Sequence, residues 1–343
     1  MTTTLEVQLV RRPSGTLRVE DLAVVEVTVP ALDQGQVLVR NSHHSVDAAI
    51  RLRLDPSSPA GYLPAFAIGE GLEGLAVGEV VESRTPGIEV GDLVQHACGY
   101  RELSVVDADS PALGGAGRLT RLDPSLAPPE IHIGLLGGTG LTAWAGIVPV
   151  ASAAAGETVW VSAAAGAVGS VAAQLAKARG CRVVGSAGSS RKVSYLRDVL
   201  GLDAAFDYHD GLAEQLSRGA PEGIDVYFDN VGGAHLEAAL DQLRPFGRVA
   251  LCGAISGYDG HAAQGPANLF QATAKNLTLR GFRAGAFVDR AVEARTELAG
   301  LWRDGELELE LSTYDGLDEA PRAIVDLLAG RNLGKCLVST PTK

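Results

Sequence analysis

A run of small residues between two apolar stretches is the first feature with a chemical use. Residues 164–169 read AAGAVG, between a strand-like segment, 158–162 (TVWVS), and a helix-like segment, 168–179. Small side chains let the backbone turn tightly and approach a pyrophosphate, and the helix start points free N–H groups at it. Gly169 would let the helix pack closely on the sheet. The turn therefore predicts a dinucleotide site, although Ala164 replaces the first glycine of the usual pattern.

The end of the next strand indicates which nicotinamide cofactor is bound. An NAD-binding protein places Asp or Glu about twenty residues after the turn, where it accepts a hydrogen bond from the ribose 2′-hydroxyl. Here residues 185–192 read GSAGSSRK and contain no acid. Ser189, Arg191 and Lys192 offer hydroxyl and cationic donors to a 2′-phosphate. A solvated helix start is the alternative for the two cations, but the helix dipole disfavours them there. The segment favours NADPH over NADH.

Composition and charge exclude several other classes of protein. The formal net charge of −12 disfavours binding to nucleic acid or to an anionic membrane. Two long windows without charge, residues 131–156 and 158–176, are diluted by Gly, Ser, Thr and Ala and are interpreted as buried segments, not as membrane spans. The cysteines are far apart and form no C-x-x-C pair, and no secretory signal precedes the first strand. We therefore expect reduced thiols and a cytoplasmic protein.

The elements that would position these residues fall into two patterns. A chain of 343 residues exceeds what one core usually fills. Up to about residue 125 the chain is rich in short β-branched segments, namely 5–10, 22–29, 36–42 and 76–83. From about residue 131 strands alternate with helices, which predicts an α/β fold with a doubly wound parallel sheet. The predicted elements after the turn are 182–186, 191–200, 225–229, 248–252 and 277–282, and a last strand is predicted at 335–339.

Several longer motifs are recognisable in combination. They are SAAAGAVGSVAAQLAKARGCRVVGSAGSSRK, GIDVYFDNVGG, RVALCGAISGYD and GRNLGKCLVS, with VLVRNSHHSVDAAIRLRL and IGEGLEGLAVGEVVES nearer the start. Together they resemble the medium-chain dehydrogenase/reductase superfamily. Within it, they are most similar to the zinc-free prostaglandin reductase, or alkenal/enone double-bond reductase, branch.

The resemblance implies an architecture and an activity. It implies a GroES-like, β-rich partial barrel formed by residues 1–128 and 311–343, around a Rossmann NADPH-binding domain at 129–310. Proteins of this branch use NADPH to reduce a carbon–carbon double bond conjugated to a carbonyl group. A homodimer is also expected from the resemblance.

The resemblance also implies a set of cofactor contacts. Gly166 and Val168 would lie near the pyrophosphate, and Gly188, Lys192 and Tyr208 would hold the adenosine 2′-phosphate together with the nearby serine. The remaining contacts would be Thr142, at the nicotinamide or its ribose, and, along the groove, Asn230, Cys252, Ser256, Phe282 and Asn332.

A zinc site is not expected. Zinc alcohol dehydrogenases of this superfamily carry a Gly-His-Glu motif, whereas Gly69 and Glu70 stand here without the histidine, and Cys98 is alone in the N-terminal domain. His43 and His44 are adjacent, so on a strand they point to opposite faces and form a poor pair of ligands. Either histidine is a candidate to face the substrate, with a plain strand residue as the alternative.

Without a metal to polarise a carbonyl, conjugate reduction is the simplest chemistry. Hydride would pass to the β-carbon, and donors aimed at the carbonyl oxygen would stabilise the enolate. Tyr258, in GAISGYD, matches the branch's tyrosine that looks towards the substrate and could deliver the α-proton, as could water. The alternative is that Tyr258 only covers the cofactor. Tyr62 is a second candidate on the substrate side.

The identity of the substrate is the least constrained inference. The branch usually reads YLSVDPYM where residues 43–50 read HHSVDAAI, and GMPG where residues 137–140 read GGTG, and Trp144 replaces a common tyrosine. These changes alter the wall expected near the nicotinamide. Two alternatives therefore stay open, an NADPH-dependent quinone or carbonyl reductase and a catalytically silent NADPH-binding protein.

Overall fold

The chain is organised around two separate sheets. The computed structural model describes residues 2–56, 62–110, 113, 117–258 and 265–341. One unit holds the described residues up to Gly138 and from Leu311 onward, and the second holds those from Thr139 to Glu310. The first unit is therefore assembled from two stretches of sequence that flank the second.

The elements are named in chain order. The strands are β1 (Thr3–Leu9), β2 (Leu22–Thr28), β3 (Gln36–Val46), β4 (Ala76–Ser83), β5 (Leu93–His96), β6 (Leu103–Asp107), β7 (Thr120–Arg121), β8 (Thr158–Val161), β9 (Arg182–Ala187), β10 (Ala204–Asp207), β11 (Ile224–Asp229), β12 (Leu243–Leu251), β13 (Thr278–Gly281), β14 (Leu311–Asp315) and β15 (Lys335–Ser339). The α-helices are α1 (Ile50–Arg53), α2 (Pro129–Ile133), α3 (Gly138–Ala145), α4 (Ala167–Ala178), α5 (Ser190–Ser194), α6 (Leu212–Gly219), α7 (Gly233–Gln242), α8 (Phe270–Ala274), α9 (Ala291–Arg303) and α10 (Ala320–Leu328).

The first unit is a mixed β structure. Its seven-stranded sheet has the order β14-β15-β3-β4-β5-β7, with β6 also paired to β3, and β1 and β2 form a separate antiparallel pair. Strand β3 alternates buried Val37 and Val39 with more exposed residues, and the valines pack on Val80, Val94 and Val106. Strand β15 pairs antiparallel with β3 and parallel with β14, so it lies inside the sheet.

An ion pair between a buried ammonium and a partly exposed carboxylate joins β15 to the end of β3. The Lys335 ammonium, which is 0% exposed, donates to Ser45 Oγ at 2.6 Å, to the Val46 carbonyl at 3.1 Å and to Asp47 Oδ1 at 2.6 Å. Ser45 Oγ donates to Asp47 Oδ2. Burial alone would raise the pKa of Asp47, but the charge and hydrogen bond of Lys335 and the bond from Ser45 outweigh it and lower that pKa. All three ammonium donors are thus used.

The second unit contains the predicted doubly wound sheet. Its six strands are all parallel, in the order β10-β9-β8-β11-β12-β13. The central strand β8 is buried along its whole length, and Trp160 on it stacks on Tyr227 of β11 with ring centroids 4.4 Å apart. The strand order reverses between β8 and β11, which is where parallel α/β sheets bind ligands. The fold class expected from the sequence is confirmed.

Several elements of the second unit differ from the sequence prediction, and three of them serve as examples. The helix predicted at 191–200 is α5 followed by a π turn, Tyr195–Val199. The strand predicted at 248–252 is β12, which begins at Leu243. Strand β10, Ala204–Asp207, was not predicted, because two alanines in four residues give little β propensity.

The two uncharged windows belong to ordinary secondary structure. Residues 158–176 contain β8 and most of α4, and residues 131–156 contain most of α2 and all of α3. In the described part of the chain, no helix is long and apolar enough to cross a membrane.

Candidate functional site

The glycine turn between β8 and α4 is tight. Ala163 takes a left-handed conformation (φ +47°), and its carbonyl accepts the N–H of Gly166 at 3.0 Å. A Cβ at Gly169 would lie 2.3 Å from the Ala163 oxygen and 2.9 Å from the Cα of Ala164. The turn therefore closes on Gly169 so tightly that only glycine fits there.

The start of α4 can hold an anion. Gly166 is the N-cap in extended conformation, and the N–H groups of Ala167 and Val168 have no partner within the helix. No acid occupies the first turn. Exposed N–H groups and the positive end of the helix dipole suit a phosphate, and Gly166 and Val168 are only half-buried. The residues present therefore fit the pyrophosphate of a dinucleotide.

Replacing Gly169 with alanine is expected to weaken NADPH binding about tenfold or more, because the new Cβ displaces the Ala163 carbonyl and with it the turn. Isothermal titration calorimetry with NADPH measures the change. Gly300→Ala is the matched control, since nothing lies within 4 Å of that Cβ in α9. A folded Gly169→Ala protein with unchanged affinity would contradict the assignment of the turn.

The residues expected at the 2′-phosphate lie together at the carboxyl ends of β9 and β10. A Cβ on Gly188 would lie 2.9 Å from the Tyr208 ring and 3.0 Å from its hydroxyl oxygen, so the ring packs directly on this glycine. Ser189 is the N-cap of α5, and its hydroxyl accepts the backbone N–H of Lys192 at 3.4 Å. Burial, and then the neighbouring Arg191, lower the pKa of Lys192. A hydroxyl, a phenol and an ammonium group thus occupy one small region.

A hydrogen-bond network occupies the point where the strand order reverses. The Asn230 amide donates to the Ser162 carbonyl at 2.7 Å, and the Asn230 backbone N–H donates to Ser162 Oγ at 3.0 Å. The buried Asp229 carboxylate accepts the Tyr227 hydroxyl at 2.7 Å and the N–H groups of the following turn. Burial raises the pKa of Asp229 despite these bonds. Asn230 is thus held rigidly at the edge of the sheet, and Asp229 and Ser162 are supporting residues that the sequence motifs did not identify.

The loop after β12 is bonded to this network. The Cys252 N–H donates to the Asp229 carbonyl at 2.9 Å, and Ser256 Oγ donates to the Val231 carbonyl at 2.6 Å. Burial, and then Asp229, raise the pKa of Cys252 to about 12, so its thiol stays protonated. The Tyr258 hydroxyl accepts the N–H of Ala254 at 3.4 Å, within its own loop. Cys252, Ser256 and Tyr258 therefore lie on one loop beside Asn230.

Two further candidates of the second unit lie on other elements. Thr142 is half-buried on α3. Phe282 directly follows β13, and its ring meets Phe228 edge-on at 6.2 Å. Trp144 is buried on the same helix as Thr142, and its indole N–H donates to Glu297 at 2.7 Å. The tryptophan at this position therefore has a partner for its buried N–H group.

The two adjacent histidines of β3 have different surroundings. His43 is partly exposed, with Nδ1 3.0 Å from Ser42 Oγ and Nε2 3.9 Å from Glu130. His44 is completely buried, its Nδ1 accepts the N–H of Tyr100 at 3.1 Å, and its Nε2 lies 3.5 Å from Thr340 Oγ1. His44 is thus held inside the first unit, and His43 is the more exposed of the two histidines that were predicted as candidates to face a substrate.

The remaining candidates of the first unit are Asn332 and Tyr62. Asn332 is buried, and its amide donates to the Gly334 carbonyl at 2.9 Å. Tyr62 is half-buried and begins the described chain after residues 57–61. Across the described ranges, no group of three or more His, Cys, Asp or Glu side chains is arranged to hold a metal ion.

Comparison with known proteins identifies relatives along almost the whole chain. A family described as the N-terminal domain of oxidoreductases matches residues 6–112, and one described as zinc-binding dehydrogenase matches residues 167–299. The NADP(+)-dependent 2-alkenal reductase of Nicotiana tabacum is 36% identical over 95% of this chain and 94% of its own. Prostaglandin reductase 1 of Mus musculus is 37% identical over 90% of this chain and 91% of its own. The crystal structure of CurA from Vibrio vulnificus in complex with NADPH superposes with a TM-score of 0.90, at 31% identity, over 99% of this chain and 100% of that one.

The parallel sheet with its glycine turn defines a dinucleotide-binding oxidoreductase of the Rossmann type. The chain belongs to the medium-chain dehydrogenase/reductase superfamily, in the zinc-free branch of alkenal and prostaglandin reductases.

Proposed function

We propose that this protein uses NADPH to reduce the carbon–carbon double bond of α,β-unsaturated ketones and aldehydes. The observation that carries the proposal is the turn into α4, where only glycine fits at position 169, next to an acid-free segment holding Ser189 and Lys192. The relatives named as a 2-alkenal reductase and a prostaglandin reductase, and the NADPH complex of CurA, support the cofactor and the substrate class.

The cofactor supplies the hydride when it is bound, and residues of this chain would bind and orient the cofactor. The N–H groups at the start of α4 bind the pyrophosphate, and Lys192, Ser189 and Tyr208 bind the 2′-phosphate. The second unit would contribute Thr142, Asn230, Cys252, Ser256 and Phe282 to the remaining cofactor contacts, and Asn332 of the first unit stays a prediction from the resemblance. Conjugate reduction needs the reacting carbons held about 3–3.5 Å apart, which a rigid groove provides.

Tyr258 is the proposed catalytic residue. Hydride addition to the β-carbon moves a pair of electrons onto the carbonyl oxygen, and a phenol donor stabilises the resulting enolate. The α-carbon then takes a proton from Tyr258 or from water. The loop of Tyr258 is tied through Ser256 to the Asn230 turn, which supports a place next to the nicotinamide end of the cofactor.

Replacing Tyr258 with phenylalanine is expected to lower kcat on an enone about 100-fold, because one donor to the enolate oxygen is lost. The NADPH dissociation constant should not change. Tyr62→Phe tests the second candidate in parallel. Undiminished turnover by Tyr258→Phe would remove this residue from the mechanism.

One screen tests the proposed function as a whole. The protein is mixed with NADPH or with NADH and an enone, an enal, a quinone or a simple ketone, and products are identified by mass and by proton position. Saturated ketone or aldehyde formed with NADPH supports the proposal. Turnover of only the quinone or the simple ketone would favour the alternative acceptor, and NADPH binding without turnover would favour a silent binding protein. Equal use of NADH would overturn the role of Ser189 and Lys192.

We also propose a cytoplasmic homodimer with a division of labour between domains. Residues 1–128 and 311–343 would form the catalytic domain, with His43 and Tyr62 on the substrate side, and residues 129–310 would bind NADPH. Strand β13 is the last strand on its side of the parallel sheet, and Thr278 and Arg280 on it are exposed. An unpaired edge of this kind can pair with the same edge of a second copy. Sedimentation measurements test the dimer.

A further inference from the structure

An acid stands beside the expected 2′-phosphate site, on a different strand. Asp207, the last residue of β10, pairs in parallel register with Ala187, the residue before Gly188. Neighbouring strands lie about 4.8 Å apart. Asp207 therefore begins close to the segment that carries Ser189 and Lys192, and a carboxylate near this site should favour a ribose hydroxyl over a phosphate.

The Asp207 carboxylate is bound by His209, two residues further along the chain. Asp207 Oδ1 accepts the backbone N–H of His209 at 3.1 Å and lies 2.8 Å from His209 Nδ1. These bonds make Asp207 the N-cap of the short turn Tyr208–Asp210, so its carboxylate is bonded to the residues that directly follow β10. One oxygen of the carboxylate is therefore bound by both the backbone N–H and the imidazole of His209.

The same imidazole supports Tyr208. The ring centroids of Tyr208 and His209 are 4.1 Å apart. His235, on α7, meets the Tyr208 ring edge-on with a centroid distance of 5.0 Å. The Tyr208 ring in turn lies on Gly188. His209 therefore contacts both the acid and the phenol at one side of the expected phosphate.

We propose that His209 is a specificity residue for the 2′-phosphate. By binding the Asp207 carboxylate and bracing Tyr208, it prevents the acid at the end of β10 from repelling the phosphate. The inference rests on the proposed use of NADPH and extends it to a side chain outside the set of expected cofactor contacts.

Binding of two cofactor fragments tests this role without turnover. Calorimetry compares adenosine 2′,5′-bisphosphate with 5′-AMP, which differ in the 2′-phosphate alone. His209→Phe keeps a ring on Tyr208 but cannot donate to Asp207. It is expected to reduce the preference for the bisphosphate about fivefold, as unmasking one partly exposed charge should. The reduction should shrink when salt is raised, because the repulsion is electrostatic.

A second substitution separates masking from direct contact. In Asp207→Asn/His209→Phe no carboxylate remains, so the preference should return towards that of the unmodified protein. Asp210→Asn, which removes an exposed acid from the same turn, is the matched control and should leave the preference unchanged.

The outcomes are distinguishable. A His209→Phe protein with the original preference overturns the inference while leaving the proposed function intact. If the double variant prefers the bisphosphate as little as His209→Phe does, the inference is also overturned, because His209 would then contact the phosphate itself. If the unmodified protein does not prefer the bisphosphate, NADPH specificity fails, and the inference fails with it.

Discussion

Replacing Asp47 with leucine, which is also branched at Cγ but has no charge, is expected to lower the free energy of unfolding by about 3–5 kcal/mol. The Lys335 ammonium is fully buried and would lose its counter-charge and one of its three acceptors. Urea unfolding at neutral pH measures the loss.

Replacing the other partner, Lys335, should lower the free energy of unfolding by less. The Asp47 side chain is 45% exposed, so in Lys335→Met the carboxylate can still be hydrated and keeps its bond from Ser45. We expect Lys335→Met to lower the free energy of unfolding by about 1–2 kcal/mol. The double variant Asp47→Leu/Lys335→Met should be about as stable as Lys335→Met, because no unpaired buried charge remains in it. Equal losses for the two single variants would contradict the asymmetry. A double variant as unstable as the sum of both would show that the two side chains act independently.

Stability is expected to fall steeply as pH drops below about 6.5, because two histidines of the first unit are buried as neutral rings. Burial, and then nearby His96 and His43, lower the pKa of His44 to about 3, and burial and Arg101 lower that of His96 to about 3. The unfolded chain binds these protons near pH 6.5 and the folded chain does not. Stability is therefore complete above that pH, and each group removes about 1.4 kcal/mol per pH unit below it, down to about pH 3.

The hydrogen bonds of the two rings are consistent with the neutral state that burial favours. His44 Nδ1 accepts the Tyr100 N–H, and His96 Nδ1 accepts the Cys98 N–H at 3.1 Å, so a proton on either nitrogen would face another donor. His96 Nε2 lies 2.8 Å from Asn41 Oδ1, which assigns the proton to that nitrogen.

Urea unfolding between pH 7 and pH 5 measures the slope. His96→Gln should reduce it by about 1.4 kcal/mol per pH unit, because one of these two rings with a lowered pKa is then absent. A titration by NMR gives an independent reading, since both buried rings should remain neutral at pH 5. Protonation of either ring in the folded protein near pH 6 would refute the prediction.

Local patterns were sufficient to predict the dinucleotide unit. The β8–α4–β9 segment combines an apolar run, small residues and a second apolar run, and each step depends on neighbours in sequence. The absence of acid in residues 185–192 could likewise be read directly. For this reason the fold class and the position of a tight glycine turn between β8 and α4 agree with expectation.

Features that depend on packing between distant segments could not be predicted in this way. Alternation on β3 indicated that His43 and His44 face opposite sides, but which side is buried depends on the sheet it joins. Asp207 was overlooked because its strand is short and because its closeness to Ala187 depends on the register of two strands. The bond from Ala254 to Tyr258 is also set by the path of the loop, which no residue pattern specifies.

The place of β15 inside the first sheet has a consequence for the order of synthesis. Every strand of the parallel sheet is encoded between residues 158 and 281, so a nascent chain can complete this sheet while translation continues. The other sheet must wait for residues 335–339, which insert between β14 and β3 and bring Lys335 to Asp47. Until residues 335–339 have left the ribosome, β3 exposes an open edge, and the strands made earlier need protection from aggregation during that interval.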